Sequence, residues 1–400
     1  MPGTRLDINF FDRPAIENPW PLYERARAAG PVVWNEFIHG WMVTGFDDCR
    51  QILTDDGGRF SAVPSDPQVL PWFEAATMIS TDGADHQRLR KCLAPMFTRR
   101  TVDKWEKRVD DVVGQLLAPL AAGDAAYDLI ADFTMVPTII VAEMLGVPRE
   151  RHGDFRRWSS TIVSNLSYGH EDERARAAMA AAAAELNAYL REEIGRHRAE
   201  RPDDLLTAII AASAHDGAMS DDEVRAAAVL LLVAGYDTTA KLLSNALLAF
   251  EENPAQRALL VADPSLMPDA IEEVLRWRST VQMIPRIVVA DMAFGDAELA
   301  AGEMAYAMIA AANRDPSRWD NPGVFDVRRP RQAHYGFGYG PHLCLGAPLA
   351  RLEGRIALQS LLRLAPGFRL RGIDLGPSFF VRGPERGFLD VGTLVEETRN

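Results

Sequence analysis

The chain has 400 residues, 48% hydrophobic and 25% charged, ordinary for a globular protein with a sizeable core, and the length alone excludes neither one large domain nor several small ones. A formal charge of −13 argues against nucleic acid as a partner, and three cysteines with no CxxC pair (Cys49, Cys92, Cys344) fit a reducing cytosol. No signal-like or anchor-like stretch follows Met1, and the longest apolar run, Ala226–Gly235, is about half of what a bilayer span needs, so a cytoplasmic protein with no membrane anchor is expected.

Pro21–Ala29 and Asp47–Leu53 read as short helices, with strands at Val32–Trp34 and Trp41–Thr44 and a turn at His39-Gly40 between them. Residues 57–83 show little periodicity and several prolines, which predicts a long loop; such loops inside compact domains are more often functional than accidental. Helical periodicity resumes over Asp85–Phe97, Arg99–Ala121, Leu129–Leu145, Phe155–Ser167, Asp172–Ala199 and Pro202–Ala214. Ser220 and Glu223 form a capping box that opens the longest helix, expected to run about 48 Å to Glu252, where Asn253-Pro254 stops it. A helix over Met267–Arg278 and a strand over Pro285–Ala290 follow. Polar turns then lead to a glycine-rich loop, Phe337 to Gly346, and a helix-like segment, Ala347–Glu353; short strands and turns occupy the chain after Pro366. No linker, repeat or charge block divides the chain, so residues 1–400 are expected to form a single, mainly helical domain with small β-sheets.

The loop reads Phe-Gly-Tyr-Gly-Pro-His-Leu-Cys-Leu-Gly. A cysteine at a loop–helix junction lies beside unpaired backbone N–H groups and the positive end of the helix dipole, so the thiol of Cys344 is expected to be acidified. Gly338 and Gly340 allow a tight turn and close approach to a flat ligand, and Pro348 is tolerated in a first helical turn. A dinucleotide loop is excluded because Leu343 stands where a third glycine is needed, and a zinc site would need about four ligands where His342 and Cys344 supply two. A nucleophilic cysteine would want a positioned base, a role in which nothing in the sequence supports His342.

The pattern Phe-Gly-x-Gly-x-His-x-Cys-x-Gly resembles the haem-binding loop of the cytochrome P450 superfamily, soluble bacterial type. The resemblance covers essentially the whole chain and implies the cytochrome P450 fold, with haem b as cofactor. Cys344 would then be the axial metal ligand, with Phe337, Gly338, His342 and Gly346 around it, and a thiolate there pushes electron density onto iron to favour O–O cleavage.

Further residues match the same family. Glu273 and Arg276 match its Glu-x-x-Arg motif; the spacing recurs elsewhere, as at Glu24 and Arg27, but here it precedes Cys344 by about seventy residues, and Arg329 lies fifteen before the cysteine. By the resemblance these three form a buried charged network that holds the loop, in which deleting one member leaves an uncompensated charge. Ala234-Gly235-Tyr236-Asp237-Thr238 matches the Ala-Gly-x-Asp/Glu-Thr of the family's long helix, which assigns Asp237 and Thr238 to proton delivery. A mid-helix glycine costs about 1 kcal/mol and suggests that the backbone opens or approaches something closely. Asp237 and Lys241, four apart, would alternatively pair at the surface. His86, Arg90, Arg286 and His342 would bind the haem propionates, which as buried carboxylates need paired cations.

For the substrate pocket the resemblance nominates Leu70, Trp72, Phe73, Met78, Ile79, Leu231, Ala234, Val281, Met283, Ile284, Phe388 and Leu389, apolar groups that imply an apolar substrate. Thr280 stands where relatives often have proline, and Leu389-Asp390-Val391 replaces Leu-Pro-Val, so no particular substrate carries over. The expected activity is O₂-dependent insertion of one oxygen atom into a hydrophobic small molecule such as a terpenoid, steroid, fatty acid or aromatic. The resemblance implies electrons from NAD(P)H through a reductase and an iron–sulfur ferredoxin; no flavin or nicotinamide motif is present, so reduction is expected to come from outside the chain. A peroxide-driven enzyme of the same fold and a non-catalytic haem-thiolate sensor are the alternatives, and the acid–alcohol pair argues against both. Residues 88–108 carry eight basic against two acidic side chains, a local reversal of the global charge; in the fold the chain resembles, this segment borders the proximal face, so an acidic ferredoxin is expected to dock there.

Overall fold

The alternation of valine, tryptophan and methionine near the amino terminus forms an antiparallel pair, Val32–Asn35 with Gly40–Val43, in which Trp34 stands opposite Trp41 with ring centroids 5.3 Å apart. The computed structural model describes residues 4–64, 73–123, 127–165, 173–215 and 218–390. In it this pair lies within a six-stranded sheet ordered Arg5–Leu6, Val32–Asn35, Gly40–Val43, Met304–Ala307, Ile284–Val288, Phe60–Ser61. Gly40–Val43 runs parallel to Met304–Ala307, and Ile284–Val288 pairs antiparallel with both Met304–Ala307 and Phe60–Ser61. The last pairing draws Asp55 and Asp56 towards Arg286, and so sets up one wall of the site described below.

The rest of the chain is a helical body around one central helix, Asp221–Glu252, buried along most of its length. Helices Val136–Met144, His152–Asn165, Glu173–Glu200 and Ala347–Leu364 pack against it. Phe133, Phe155, Trp158 and Phe250 are fully buried, each worth about 1.5–3 kcal/mol relative to exposure, which lets this core form without disulfides. Among the described residues the central helix alone is long and apolar enough to cross a membrane, and 67% of its apolar window is buried inside the protein.

Several boundaries differ from the sequence expectation for local reasons. Helix Arg99–Ala121 divides into Arg99–Val102, a 3-10 turn at Asp103–Trp105, and Glu106–Ala121. The helix expected from Leu129 begins only at Val136, after a 3-10 turn at Phe133–Met135, because Asp128 accepts the N–H groups of Ile130 and Ala131 and favours a turn. The helix expected from Pro202 starts at Leu205, where Asp204 caps it by accepting the Thr207 N–H at 2.9 Å. Periodicity did not reveal the helix Pro254–Ala262 or the strands Met292–Phe294, Ala297–Leu299 and Met304–Ala307, which are too short to establish a period.

Candidate active site

The loop ending in Cys344 is held by its own backbone: the Gly338 N–H donates to the Tyr335 carbonyl and the Cys344 N–H to the Phe337 carbonyl, both at 2.9 Å. Gly338 and Gly340 both have φ of 71°, and a Cβ on Gly340 would fall 2.5 Å from the Leu53 carbonyl oxygen, so this glycine lets the loop press onto the helix Phe46–Thr54. Helix Ala347–Leu364 starts directly after the loop, with Gly346 as its N-cap. Cys344 has exposed surface, yet the protein atoms around it desolvate its anion. Burial raises its thiol pKa; the N–H groups of Gly346 and Ala347 and the charges of Arg90 and Arg351 pull the other way and do not overcome it. The expected acidification is thus reversed in the protein alone.

Beside this loop, His86 from helix Gly83–Leu93 stacks on His342, with ring centroids 4.1 Å apart and planes inclined by 26°. Arg90, one turn after His86, donates to the Leu343 carbonyl at 2.7 Å, and Arg286 comes from strand Ile284–Val288. Asp56 lies 3.9 Å from both imidazoles, and Asp82 lies 3.9 Å from that of His342. Both ring nitrogens of His86, Nε2 of His342 and Nε of Arg286 are buried with no hydrogen-bond partner among the described residues. Burial lowers the pKa of His86 and, with Arg286 and His86 adding to it, takes His342 down to about 4. Four unsatisfied buried nitrogens in one place call for an anion with several acceptor oxygens. Asp56, His86 and His342 also place one ligand atom each within 4.8 Å of one another, but stacked imidazoles present their nitrogens side by side rather than around a point. The donor set therefore fits carboxylates such as haem propionates.

Along the central helix, Leu231, Ala234, Gly235, Asp237 and Thr238 are accessible in a stretch where the other residues are buried. The Thr238 hydroxyl donates to the Ala234 carbonyl at 2.7 Å, a back-bond that tends to bend a helix. A Cβ on Gly235 would lie 3.1 Å from Val141 Cγ2, so the close approach expected of this glycine is to a neighbouring helix. Asp237 does pair with Lys241, at 3.0 Å, but Lys241 is buried, so this is not a surface pair.

Glu273, Arg276 and Arg329 come together. Arg276 grips Glu273 with two hydrogen bonds of 2.7 and 2.8 Å, and Arg329 Nε donates to the same carboxylate at 3.1 Å. The remaining Arg276 donors go to the carbonyls of Asn313, Pro322 and Val324. Asn313 Oδ1 in turn accepts the Tyr335 N–H at 2.7 Å, which ties this network to the start of the cysteine loop. Arg328, by contrast, is exposed.

The nominated pocket residues scatter. Leu70 and Trp72 lie outside the described residues. Phe73 and Met78 are buried in the main core, and Ile79 is exposed. Val281 is half-buried, and Ile284 Cδ1 lies 3.6 Å from where a Cβ on Gly338 would be. Three placements need correction. Met283 packs into the amino-terminal core cluster with Phe10, Tyr23 and Phe379; Leu389 is fully buried in the main core, and Phe388, beside it on the opposite face of the same strand, points to solvent. The period-two alternation of a strand makes the last two outcomes complementary. The tail residues that lie beside Val281 are Phe380 and Val381: Val381 bridges to Val281, and Phe380 accepts the Gln282 N–H at 3.0 Å.

Sequence reasoning also passed over Asp56 and Asp82 in the cationic cluster, and Glu272 and Arg351 behind the cysteine. Arg351 donates twice to Glu272, at 2.7 and 2.9 Å, and lies over the Phe337 ring at 4.6 Å. Burial pushes Glu272 up, but Arg351 and His334 overcome it and hold the carboxyl at about 2. The available signals were positional: Asp82 stands at the N-cap position of the helix that carries His86, and Arg351 lies in the first turns after Cys344.

Comparison with known proteins gives one consistent outcome. The family model described as Cytochrome P450 matches residues 26–365. The vitamin D(3) 25-hydroxylase of Pseudonocardia autotrophica is 37% identical over 391 residues, spanning 94% of each chain. The crystal structure of CYP109E1 from Bacillus megaterium in complex with testosterone superposes with a TM-score of 0.88 at 29% identity, covering 96% of this chain and all of that one. That of P450BioI with a hexadec-9Z-enoic acid ligated acyl carrier protein superposes with the same score and identity, covering 94% and 98%.

Proposed function

The chain belongs to the cytochrome P450 family of monooxygenases, and from that premise we propose that it inserts one oxygen atom of O₂ into a hydrophobic small molecule, using haem b held by Cys344. The observation that carries the reading is the cluster of unsatisfied buried nitrogens on His86, His342 and Arg286 beside the loop of Cys344. Bound haem would supply a redox-active iron for splitting dioxygen, with the second oxygen atom leaving as water. His86, Arg90, Arg286 and His342 would bind the propionates. The thiol of Cys344, which burial alone keeps protonated, would be deprotonated by the positive charge of the metal, and Arg90 and Arg351 favour that anion. Asp237 would pick up a proton from solvent and Thr238 would pass it on with its hydroxyl, on the accessible stretch of the central helix. Leu231, Ala234, Val281, Ile284 and Phe380 would meet the apolar substrate. The relatives' names support that class, since they mention vitamin D(3), testosterone and a fatty acyl chain.

Electrons would come from NAD(P)H through a reductase and an acidic iron–sulfur ferredoxin in the cytoplasm. Of the eight basic residues in 88–108, Arg88 pairs with Glu223, Arg99 with Asp103, Lys107 with Asp111 and Arg108 with Glu143, and Arg90 is turned inward to Leu343. That leaves exposed Lys91, Arg100 and Lys104 as the docking charges. A cleft of 720 Å³ lined by Arg99, Glu272, Arg351 and Arg355 opens on this side.

The test is turnover with a ferredoxin–reductase pair, on substrates first found by the spectral shift that follows displacement of iron-bound water. Product carrying one ¹⁸O atom from ¹⁸O₂ is expected, and Thr238→Ala should divert most NAD(P)H into peroxide. Oxygen derived from water, or a Thr238→Ala enzyme with unchanged product per NAD(P)H, would overturn the reading.

A further inference from the structure

Lys241 lies one helical turn beyond Asp237 and is 3% exposed. An ammonium carries three donors and no acceptor, and burying it costs several kcal/mol unless it is paired. Three oxygens surround it: the Val381 carbonyl at 3.0 Å, Glu385 Oε1 at 3.4 Å and Asp237 Oδ2 at 3.0 Å. The first two accept aligned hydrogen bonds. The third contact is an ion pair without that alignment, and Asp237 Oδ2 has no hydrogen-bond partner among the described residues.

A single tail segment fixes the lysine. Besides Val381 and Glu385, Gly383 lies so close that a Cβ there would fall 2.8 Å from Lys241 Cβ and 2.9 Å from Cγ. One turn further along the helix, Asn245 donates to the Arg382 carbonyl at 2.9 Å. Lys241 therefore cannot swing away from Asp237 without unpacking residues 381–385.

Two carboxylates share this one cation. The groups that bear on them are Tyr236 with Arg156 next to Asp237, and Asp374 next to Glu385. With Lys241 between them, both carboxylates can stay charged. Without it they face one another in a desolvated region and one takes up a proton. The two carboxylates then share that proton, which ties Asp237 to Glu385 and away from Thr238.

We infer that Lys241 is the positioning residue of Asp237: clamped by the tail segment 381–385, it holds the Asp237 carboxylate in an ion pair and keeps it from sharing a proton with Glu385, so that it stays available to Thr238. This rests on the acid–alcohol reading above. The experiment compares Asp237→Asn, Lys241→Met, Lys241→Arg and the double variant Lys241→Met/Asp237→Asn as holoenzymes. Peroxide formed per NAD(P)H is read in each, and the infrared band of a protonated carboxyl is assigned by its loss in the double variant. Lys241→Met should uncouple several-fold, as Asp237→Asn does, with substrate affinity and the reduced carbon monoxide spectrum unchanged. The double variant should be no worse than Asp237→Asn, Lys241→Met should gain the carboxyl band, and Lys241→Arg should recover coupling. If Asp237→Asn uncouples while Lys241→Met couples normally, or the two effects add, the inference is wrong and the relay reading stands. If Asp237→Asn itself couples normally, the relay reading falls first. Should Lys241→Met fail to fold, Lys241→Arg and Glu385→Gln decide: retained coupling with no carboxyl band in both supports the inference, and uncoupling in Glu385→Gln with Asp237 still ionised overturns it.

Discussion

The imidazoles of His86 and His342 stack 4.1 Å apart, and three of their four ring nitrogens are buried without a hydrogen-bond partner among the described residues. Such an arrangement is costly unless an acceptor answers it. Each charge-assisted bond to a buried carboxylate contributes about 1.5–3 kcal/mol. Arg286→Ala and His342→Ala should therefore each speed haem loss to an acceptor protein about ten- to a hundredfold, while Arg328→Ala, at an exposed position, should not. Equal transfer rates in all three would remove these side chains from the cofactor site.

Cys344→Ser should abolish the thiolate signature of the reduced carbon monoxide complex, because a hydroxyl is a far poorer anion than a thiol at neutral pH. Retention of that spectrum would mean that another residue ligates the metal.

Reversing Lys91, Arg100 and Lys104 to glutamate should slow electron transfer from an acidic ferredoxin and flatten its dependence on ionic strength, with substrate affinity unchanged. The same reversal at Arg88 and Arg108, each already paired with a glutamate, should affect stability more than docking. If transfer is indifferent to the triple reversal, the partner binds elsewhere.

Glu353 is fully buried on the helix after the cysteine loop, one of its oxygens has no partner among the described residues, and burial takes its carboxyl up to about 8. The unfolded chain ionises this group near pH ~4.5 and the folded protein does not, so stability should fall as pH rises from there towards about 8 and then level off. Glu353→Gln should remove that decline. Thermal melting across this range should show the variant gaining on the parent as pH rises; a constant difference would mean that Glu353 is paired in solution.

Local pattern determined a good part of this protein. The cysteine loop, the capping box at Ser220 and Glu223, the spacing of Glu273 and Arg276, and most helices depend on neighbours a few residues apart, and those neighbours are visible in the sequence. Burial is different, because it depends on which distant segments pack together. Lys241 and Asp237 are legible as a pair four residues apart, but only the tail segment 381–385 folding over them makes that pair internal. The helix start beside Cys344 correctly suggested stabilising N–H groups, yet the packed surroundings desolvate the thiol and reverse the direction of its shift. Leu389 and Phe388 are adjacent in the chain, and only the register of the tail hairpin, with Leu389 opposite Leu370, decides that one enters the core and the other faces solvent. The anion cradle likewise draws on residues 56, 82, 86, 286 and 342, which no local window contains, and it exists because the edge strand Phe60–Ser61 docks on Ile284–Val288.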